Sequence, residues 1–526
     1  MKPKILLVNP PVYDFAAYDF WLKPYGLLTV AGYLRGKADF ALFDYLDRLH
    51  PFAAKQKQLQ SDEWGRGRFC SRRIPTPAPL VSIPRYFRRF GLPRDVFVDY
   101  LAKTDPPDYV LIQTTMTYWY PGVEEVIRDV RGIHPSAKII LGGNYVTLCP
   151  SHAETLGADL LIPGTDLQVL WDYLGITPDP EQSALWEVYP KLRVGALKLT
   201  DGCPFKCTYC SVPRVYGQFS ARPLDRSLAE LKLLIRLGVK DIAFYDDALL
   251  FNPEQVLIPF LNEIVKQNIK VTRSNRTQCA IPSRLLSAVE GPATVIPSAP
   301  PVIPSAATVI PSAATVIPSA ATVIPSAAEE SIQTTPLSGA WQPQAKLGDG
   351  HNAIRDTRYA IHAPNFHSPN ALNARFLTKD LAELMVRAGF KTFYLGFESA
   401  SAQWQKRTGS KVFSDELASA VEYLRAAGAA PADITAYQIL GHPYSDIQQL
   451  EDSMRFVSSL GIRGTLADFS PIPGTPDGDC CAKYVDLAEP LNHNKTAFPI
   501  TLLGFNQSNR LKDLQRNLNR NLTNPL

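Results

Sequence analysis

Cys203, Cys207 and Cys210 stand in the stretch Leu-Thr-Asp-Gly-Cys-Pro-Phe-Lys-Cys-Thr-Tyr-Cys, a C-x3-C-x2-C spacing that occurs once in the chain. Three thiolates this close in sequence fit one loop wrapped on an iron–sulfur cluster. A [4Fe–4S] cluster has four irons, so three cysteines leave one iron without a protein ligand, able to bind a small molecule and act on it. A structural zinc site asks for four ligands, as paired C-x2-C units or with histidine at fixed spacing. No second pair lies nearby, and no histidine occurs between His152 and His351. Three cysteines within one short stretch cannot all pair as disulfides.

Two βα series must position this loop. In the first, Ile5–Val8, Tyr109–Gln113, Lys138–Leu141 and Leu160–Ile162 are short apolar runs that read as strands, with helices expected at Tyr25–Leu34 and Val123–Val130. Strands separated by helices predict a parallel, doubly wound sheet that binds ligands at its C-terminal edge. That rim would hold Asn9, Thr114–Tyr120, Gly142–Thr147 and Gly164. The second series starts at Val194–Leu199, just before the cysteines, and continues through the strand Asp241–Tyr245 and the helix Val256–Gln267 to Ile269-Lys270-Val271. It resumes at Asn365–Asn370 and runs on through Thr392–Gly396 and Asp433–Leu440. Five or six such units predict a partial TIM-like barrel with its site at the C-terminal strand ends. The expected domains are 1–185, 190–470 and a C-terminal extension, 471–526.

The interruption at 272–364 is foreign in composition. Thr294–Ala328 repeats a seven-residue unit close to Thr-Val-Ile-Pro-Ser-Ala-Ala. A proline in every unit excludes a coiled coil, and the period is too short for a solenoid. A disordered or extended loop, dispensable for the cluster, is expected. Because it begins where the third barrel strand should run, it could also have broken the barrel.

The 526 residues carry a net charge of +4 with 20% charged and 45% apolar residues, ordinary for globular protein. There is no apolar run long enough to span a membrane, and cysteine usage suits a reducing cytoplasm. Residues 66–94 are arginine-rich, with Tyr86, Phe87 and Phe90 among them. They read as a solvated insertion over the site or, less in keeping with the charge balance, a nucleic-acid patch; arginines near a rim could also pair with a phosphate or carboxylate.

The cysteine motif, with Tyr209 as the aromatic before its last member, resembles the radical S-adenosylmethionine (SAM) superfamily. The first domain is similar to the cobalamin (B12)-binding domain of one of its subfamilies, on Asn9-Pro10-Pro11, Tyr25-Gly26-Leu27-Leu28, Gly32-Tyr33-Leu34 and Gly142-Gly143-Asn144-Tyr145. The resemblance implies an α/β chain: a Rossmann-like B12-binding-like domain, then a (βα)6 radical SAM barrel carrying the insertion. It implies that Cys203, Cys207 and Cys210 hold a [4Fe–4S] cluster whose open iron chelates SAM, that an external flavodoxin- or ferredoxin-type donor supplies an electron, and that a 5′-deoxyadenosyl radical results. Tyr209, Asp246, Asp247, Glu398, Ser399 and Gly441 would contact SAM; capping of the following turn is the alternative for Asp246-Asp247. Thr117, Trp119, Gly142, Gly143 and Asn144 would contact cobalamin. The D-x-H-x-x-G motif that ligates cobalt is missing, so a bound corrin would have no histidine on the metal. Cobalamin-dependent methyl transfer to an unknown substrate is the expected reaction; a cyclisation or rearrangement without methyl transfer, or a non-catalytic remnant, are the alternatives. His367 and His442 also sit near strand ends, as substrate contacts, acid–base groups or structural residues.

Overall fold

The computed structural model describes residues 2–266 and 364–523 apart from 57, 58, 60 and 445. The described chain belongs to one compact unit spanning Met1–Thr272 and Leu347–Leu526. The repeats at Thr294–Ala328 and the apolar triplet Ile269-Lys270-Val271 lie outside the described residues.

Five strands build the first sheet: Lys4–Asn9 (β1), Asp39–Asp44 (β2), Tyr109–Thr114 (β3), Lys138–Gly143 (β4) and Leu160–Ile162 (β5). All pair in parallel, in the order β2-β1-β3-β4-β5. Alternate residues of β1 enter two separate cores. Leu6 and Val8 pack with Phe97 and Val126, while Ile5 and Leu7 pack with Leu27 and Ala31. Helices therefore cover both faces, which is why β1 reads as a continuous apolar run. The sequence reading counted four strands and missed β2. Asp-Phe-Ala-Leu-Phe-Asp is a half-exposed edge strand and lacks such a run. The order reverses between β1 and β3, and an open α/β sheet forms its ligand crevice at that point.

The second sheet holds Val194–Leu197 (β6), Asp241–Phe244 (β7), Asn365–Asn373 (β8), Phe390–Glu398 (β9), Ile434–Leu440 (β10) and Arg463–Asp468 (β11). These six parallel strands follow chain order from β6 to β11, a partial barrel. Phe244, Phe366, Phe393, Leu395 and Phe397 pack outward into the layer of helices. The insertion does not break this sheet. The third strand is β8, and it pairs with β7 on one side and β9 on the other. The chain leaves the described part at the end of the helix 257–266 and returns at Pro364. Both points belong to a helix-to-strand connection, at the end of the barrel opposite the cysteine loop.

The barrel interior is filled from the first half of the chain. Trp21 is fully buried beside Val194 and Ala243 and stacks on His367, with centroids 4.3 Å apart. Its indole N–H donates to the Trp64 carbonyl at 2.8 Å, and Arg66 donates to the Tyr394 hydroxyl at 2.9 Å. His367 is thus the third residue of β8 rather than a strand end. It is held by Thr392 Oγ1 at 3.0 Å and Asp241 Oδ1 at 3.2 Å, and burial lowers its pKa. Its role is packing.

The arginine-rich segment is solvated only in part: Arg68, Arg72, Arg73 and Arg94 are exposed, while Arg89 is buried. Ser71–Arg73 and Arg88–Phe90 form a small antiparallel sheet with Val12–Asp14. Arg89 makes a two-pronged, buried pair with Glu125, and the exposed Arg94 makes a two-pronged pair with the buried Asp129, one turn further along the helix Tyr120–Ile133. The extension after 470 ties the two sheets together. Asn494 donates to Asp14, His493 bonds Thr117, and the helix Phe505–Thr523 buries Leu511 against Met454 and Leu440.

Removing one partner of a buried ion pair leaves an uncompensated charge and costs roughly 3–5 kcal/mol. Arg89→Met should lower urea-unfolding stability by about that much, and the double change R89M/E125M should recover most of it. A loss below about 1 kcal/mol from R89M alone would contradict the buried pairing.

Candidate functional site

The cysteine loop leaves β6 and is closed at its base by a short ribbon. Thr200–Asp201 pairs antiparallel with Ser220–Ala221, so both ends of the loop are fixed. Gly202, at φ +72°, is required there, because a Cβ would lie 2.6 Å from the Gln218 carbonyl. Asp201 is bound by Lys198 and Arg222, both at 2.8 Å. Burial opposes its charge, yet these cations hold its carboxyl down at about 2. Asp246 follows β7. Its Oδ1 accepts from Leu199 N at 2.9 Å, Thr200 N at 2.6 Å and Thr200 Oγ1 at 2.7 Å, tying the root of the loop to the second strand.

The loop itself is gripped at Thr208, between the second and third cysteines. Thr208 N donates to the Thr408 carbonyl at 3.2 Å, and Asp477 N donates to the Thr208 carbonyl at 3.1 Å. The Thr208 hydroxyl also donates to Asp477 Oδ2, which bonds His442 Nε2 at 2.9 Å. Gly409, at φ +116°, lets the turn after the helix Ala402–Thr408 approach, since a Cβ there would stand 3.1 Å from Cys207 Cα. His442 is therefore a buried clamp for the loop. Tyr209 stacks on Trp404 and meets the edge of His442.

Cys203, Cys207 and Cys210 are free thiols and partly buried. Burial pushes all three up, Cys210 to about 12, so the thiolates form as protons give way to metal. Among the described residues no three His, Cys, Asp or Glu side chains converge tightly enough to hold a single metal ion. In a four-iron cluster each thiolate meets a different iron, so its ligands stand further apart than those of one ion. The donor set fits the cluster, with Asp246 and Asp477 already engaged elsewhere.

The other residues expected at SAM are spread along the C-terminal strand ends. Asp247 is partly buried, its Oδ2 has no hydrogen-bond partner, and burial raises its carboxyl to about 6 despite Lys198. Glu398 ends β9 at φ +67°, an uncommon conformation outside glycine, and accepts from Lys411 Nζ at 2.6 Å. Ser399 is taken up locally, its Oγ accepting from Ser401 N. Gly441, at φ +79°, is needed for packing, because a Cβ would come within 2.6 Å of Pro499. Asn373 ends β8 with its Nδ2 buried and unpartnered. The sequence reading missed Lys411, Asn373 and Asp477, none of which lies in a recognisable spacing.

On the first sheet a crevice opens where the strand order reverses, lined by Asn9, Pro10, Pro11, Gln113–Met116, Trp119 and Tyr145. Trp119 donates from its indole to Asp14 Oδ2 at 2.9 Å, and Asn9 donates to Asp44 at 2.7 Å. Of the five residues expected to contact a corrin, only Trp119 lines this crevice. Thr117 turns away to His493 Nδ1 at 2.9 Å. Gly142, Gly143 and Asn144 form the neighbouring rim, where Gly143 is required because a Cβ would lie 2.1 Å from the Thr114 carbonyl. From that rim the helix Asn144–Leu148 packs against the helix Val212–Tyr216, which leads out of the cysteine loop.

A family model described as the Radical SAM superfamily matches residues 197–276. The ribosomal protein uS12 methylthiotransferase of Carboxydothermus hydrogenoformans is 44% identical over 46 residues, 9% of this chain and 10% of that protein. The Cronobacter sakazakii protein of the same name is 26% identical over 156 residues, 27% of this chain and 35% of its own length. The threonylcarbamoyladenosine tRNA methylthiotransferase of Thermotoga maritima is 26% identical over 132 residues, 23% of this chain and 30% of its length. The chain thus spans about a third or less of these relatives. Among solved structures, the radical S-adenosylmethionine methyltransferase TsrM of Kitasatospora setae, solved with tryptophan and a SAM analog, shares the fold. It matches at TM-score 0.56 and 12% identity, over 91% of this chain and 77% of that one. A second structure of TsrM, with cobalamin and a [4Fe–4S] cluster bound, matches at TM-score 0.54. The family match lies across the three-thiol loop on the first strand of the six-stranded parallel barrel, so residues 197–276 are similar to a radical SAM domain.

Proposed function

We propose that this chain is a radical SAM enzyme that works with cobalamin to methylate its substrate. One observation carries the reading. The crevice at the β1/β3 reversal and the cysteine loop belong to one compact unit, joined through the helices Asn144–Leu148 and Val212–Tyr216. TsrM, which binds both cofactors, has the same fold and supports it.

Cobalamin, when bound, would supply a methyl group carried on cobalt. The chain's own part is to seat and shield it. Pro10-Pro11 stiffen one wall, and Trp119, locked by Asp14, presents a flat apolar face. No histidine lines the crevice among the described residues. His50 caps its own helix, His134 bonds the Leu101 carbonyl, His152 bonds Tyr145, and His493 lies between Thr117 and the Leu487 carbonyl. At the barrel, Cys203, Cys207 and Cys210 would hold the cluster. Asp247 would accept from the ammonium of SAM, and Glu398 and Asn373 would offer an acceptor and a donor to its polar groups. The resemblance leaves the substrate open.

Purified protein mixed anaerobically with hydroxocobalamin should bind it, with a visible spectrum free of histidine on cobalt, and Trp119→Ala should weaken binding by about tenfold, the loss of roughly one aromatic contact. No binding at tens of micromolar, or a histidine-ligated spectrum, contradicts this reading. Changing Cys203, Cys207 and Cys210 together to Ala should leave essentially no iron after reconstitution; full iron in that variant places the cluster elsewhere. Asp247 yields a pH test. Its folded-state carboxyl is raised from 3.8 to about 6, so the stability it contributes is present at low pH and lost as pH rises through 6. Asp247→Asn should therefore raise the melting temperature of the cluster-free protein at pH 7.5 by a few degrees, leave it nearly unchanged at pH 4, and weaken SAM binding by the loaded protein. An unchanged melting temperature at pH 7.5 would show that the carboxylate carries no strain there.

A further inference from the structure

Lys411 is carried in beside the middle of the cysteine loop from a turn far along the chain, and nothing in the reaction outlined above uses it. Several local features combine to place it. The turn that follows the helix Ala402–Thr408 is pressed onto the loop through Gly409, where any Cβ would stand 3.1 Å from Cys207 Cα and 3.2 Å from the Lys206 carbonyl. The Thr408 carbonyl accepts from Thr208 N, so this turn and the cysteine loop share a backbone hydrogen bond. Ser410 sits at φ +53°, a left-handed position that turns the chain back toward β9. The lysine side chain then crosses the face of β9 at Gly396, where a Cβ would lie only 2.7 Å from Nζ. Any larger residue at 396 would block that path. The ammonium ends on Glu398 Oε1 at 2.6 Å, with 18% of the lysine side chain exposed. Glu398 pairs directly with the ammonium, which brings a counter-charge into this buried site. Glu398 itself stands at φ +67°, where the strand register slips.

A glycine kept clear for a side chain, two left-handed non-glycine residues and a buried pair are costly for a surface-type residue. Packing alone would be served by methionine. We propose that Lys411 is a fixed positive charge built against the cluster loop, and that it raises the cluster's reduction potential. An electron added to the cluster adds negative charge at its thiolates, and a nearby cation in a poorly hydrated site favours the reduced form. Glu398 steers the ammonium and partly offsets it. Lys411 is thus a positioning residue, acting through the cluster's electronics rather than on a substrate. The proposal rests on the assignment of the cluster to Cys203, Cys207 and Cys210.

The test is an EPR-monitored redox titration of the reconstituted cluster without SAM, on the wild type, K411M, K411R and E398Q, each first assayed for iron. Iron content reports on the cluster assignment, and the potential reports on this proposal. Potential should shift downward in K411M, return close to wild type in K411R, and shift upward in E398Q, where the cation loses its counter-charge. Should K411M fail to take up iron, the opposite shift in E398Q still decides. SAM affinity is measured alongside. If the SAM-free potential is unchanged in K411M and E398Q while SAM binds more weakly, Lys411 serves SAM alone and the proposal is overturned. A downward shift in E398Q overturns it equally.

Discussion

Asp246 is the constraint on which the site depends. One carboxylate oxygen accepts from two backbone amides and a hydroxyl at the start of the cysteine loop, and it does so from the neighbouring strand. Without it, the root of the loop leaving β6 would lose its tie to the neighbouring strand. Burial makes that carboxylate unfavourable as a charge and pushes it up, and the three donors offset this only in part. The second hold on the loop, through Thr208, Asp477 and His442, comes from the end of the chain and closes the other side. Three thiols on one short loop become a defined ligand set because the loop is fixed at both its root and its middle.

The two sheets do not simply sit end to end. Trp21, Trp64 and Arg66, all from the first half of the chain, occupy the interior of the barrel, and the C-terminal segment around His493 and Asn494 bonds back to Thr117 and Asp14. Asp14 links Trp119, which lines the crevice, with Asn494, so the shape of that crevice depends on the extension. The insertion leaves all of this intact because the described chain departs and returns at a helix-to-strand connection, opposite the ends of the strands that carry the cysteines.

What was legible in the sequence was the chemistry with a fixed spacing and the elements with a strong period. The cysteine loop, the buried strands β1, β3 and β9 and the parallel order followed from apolar runs and glycine stops. The edge strand β2 did not, because one of its sides meets solvent and its pattern is mixed. Nor did the partners of charged residues emerge. Arg89 read as part of a solvated patch, yet the helix Tyr120–Ile133 places Glu125 opposite it in a buried pair. Gly143 and Gly441 were read as ligand contacts, yet each is glycine because a carbonyl or a proline from elsewhere in the chain stands where a Cβ would go. Lys411 and Asp477 act across long sequence separations, and only the folded chain brings them to the loop.

We propose that the three cysteines leave one iron of the cluster open and that the surrounding strand ends bring SAM to it. EPR of the reduced, reconstituted protein tests this most directly, recorded with and without SAM. The expected result is the signal of a reduced [4Fe–4S] cluster whose g-values change when SAM is added, as ligation at the open iron requires. A cluster signal that SAM leaves unaltered at saturating concentration would contradict it.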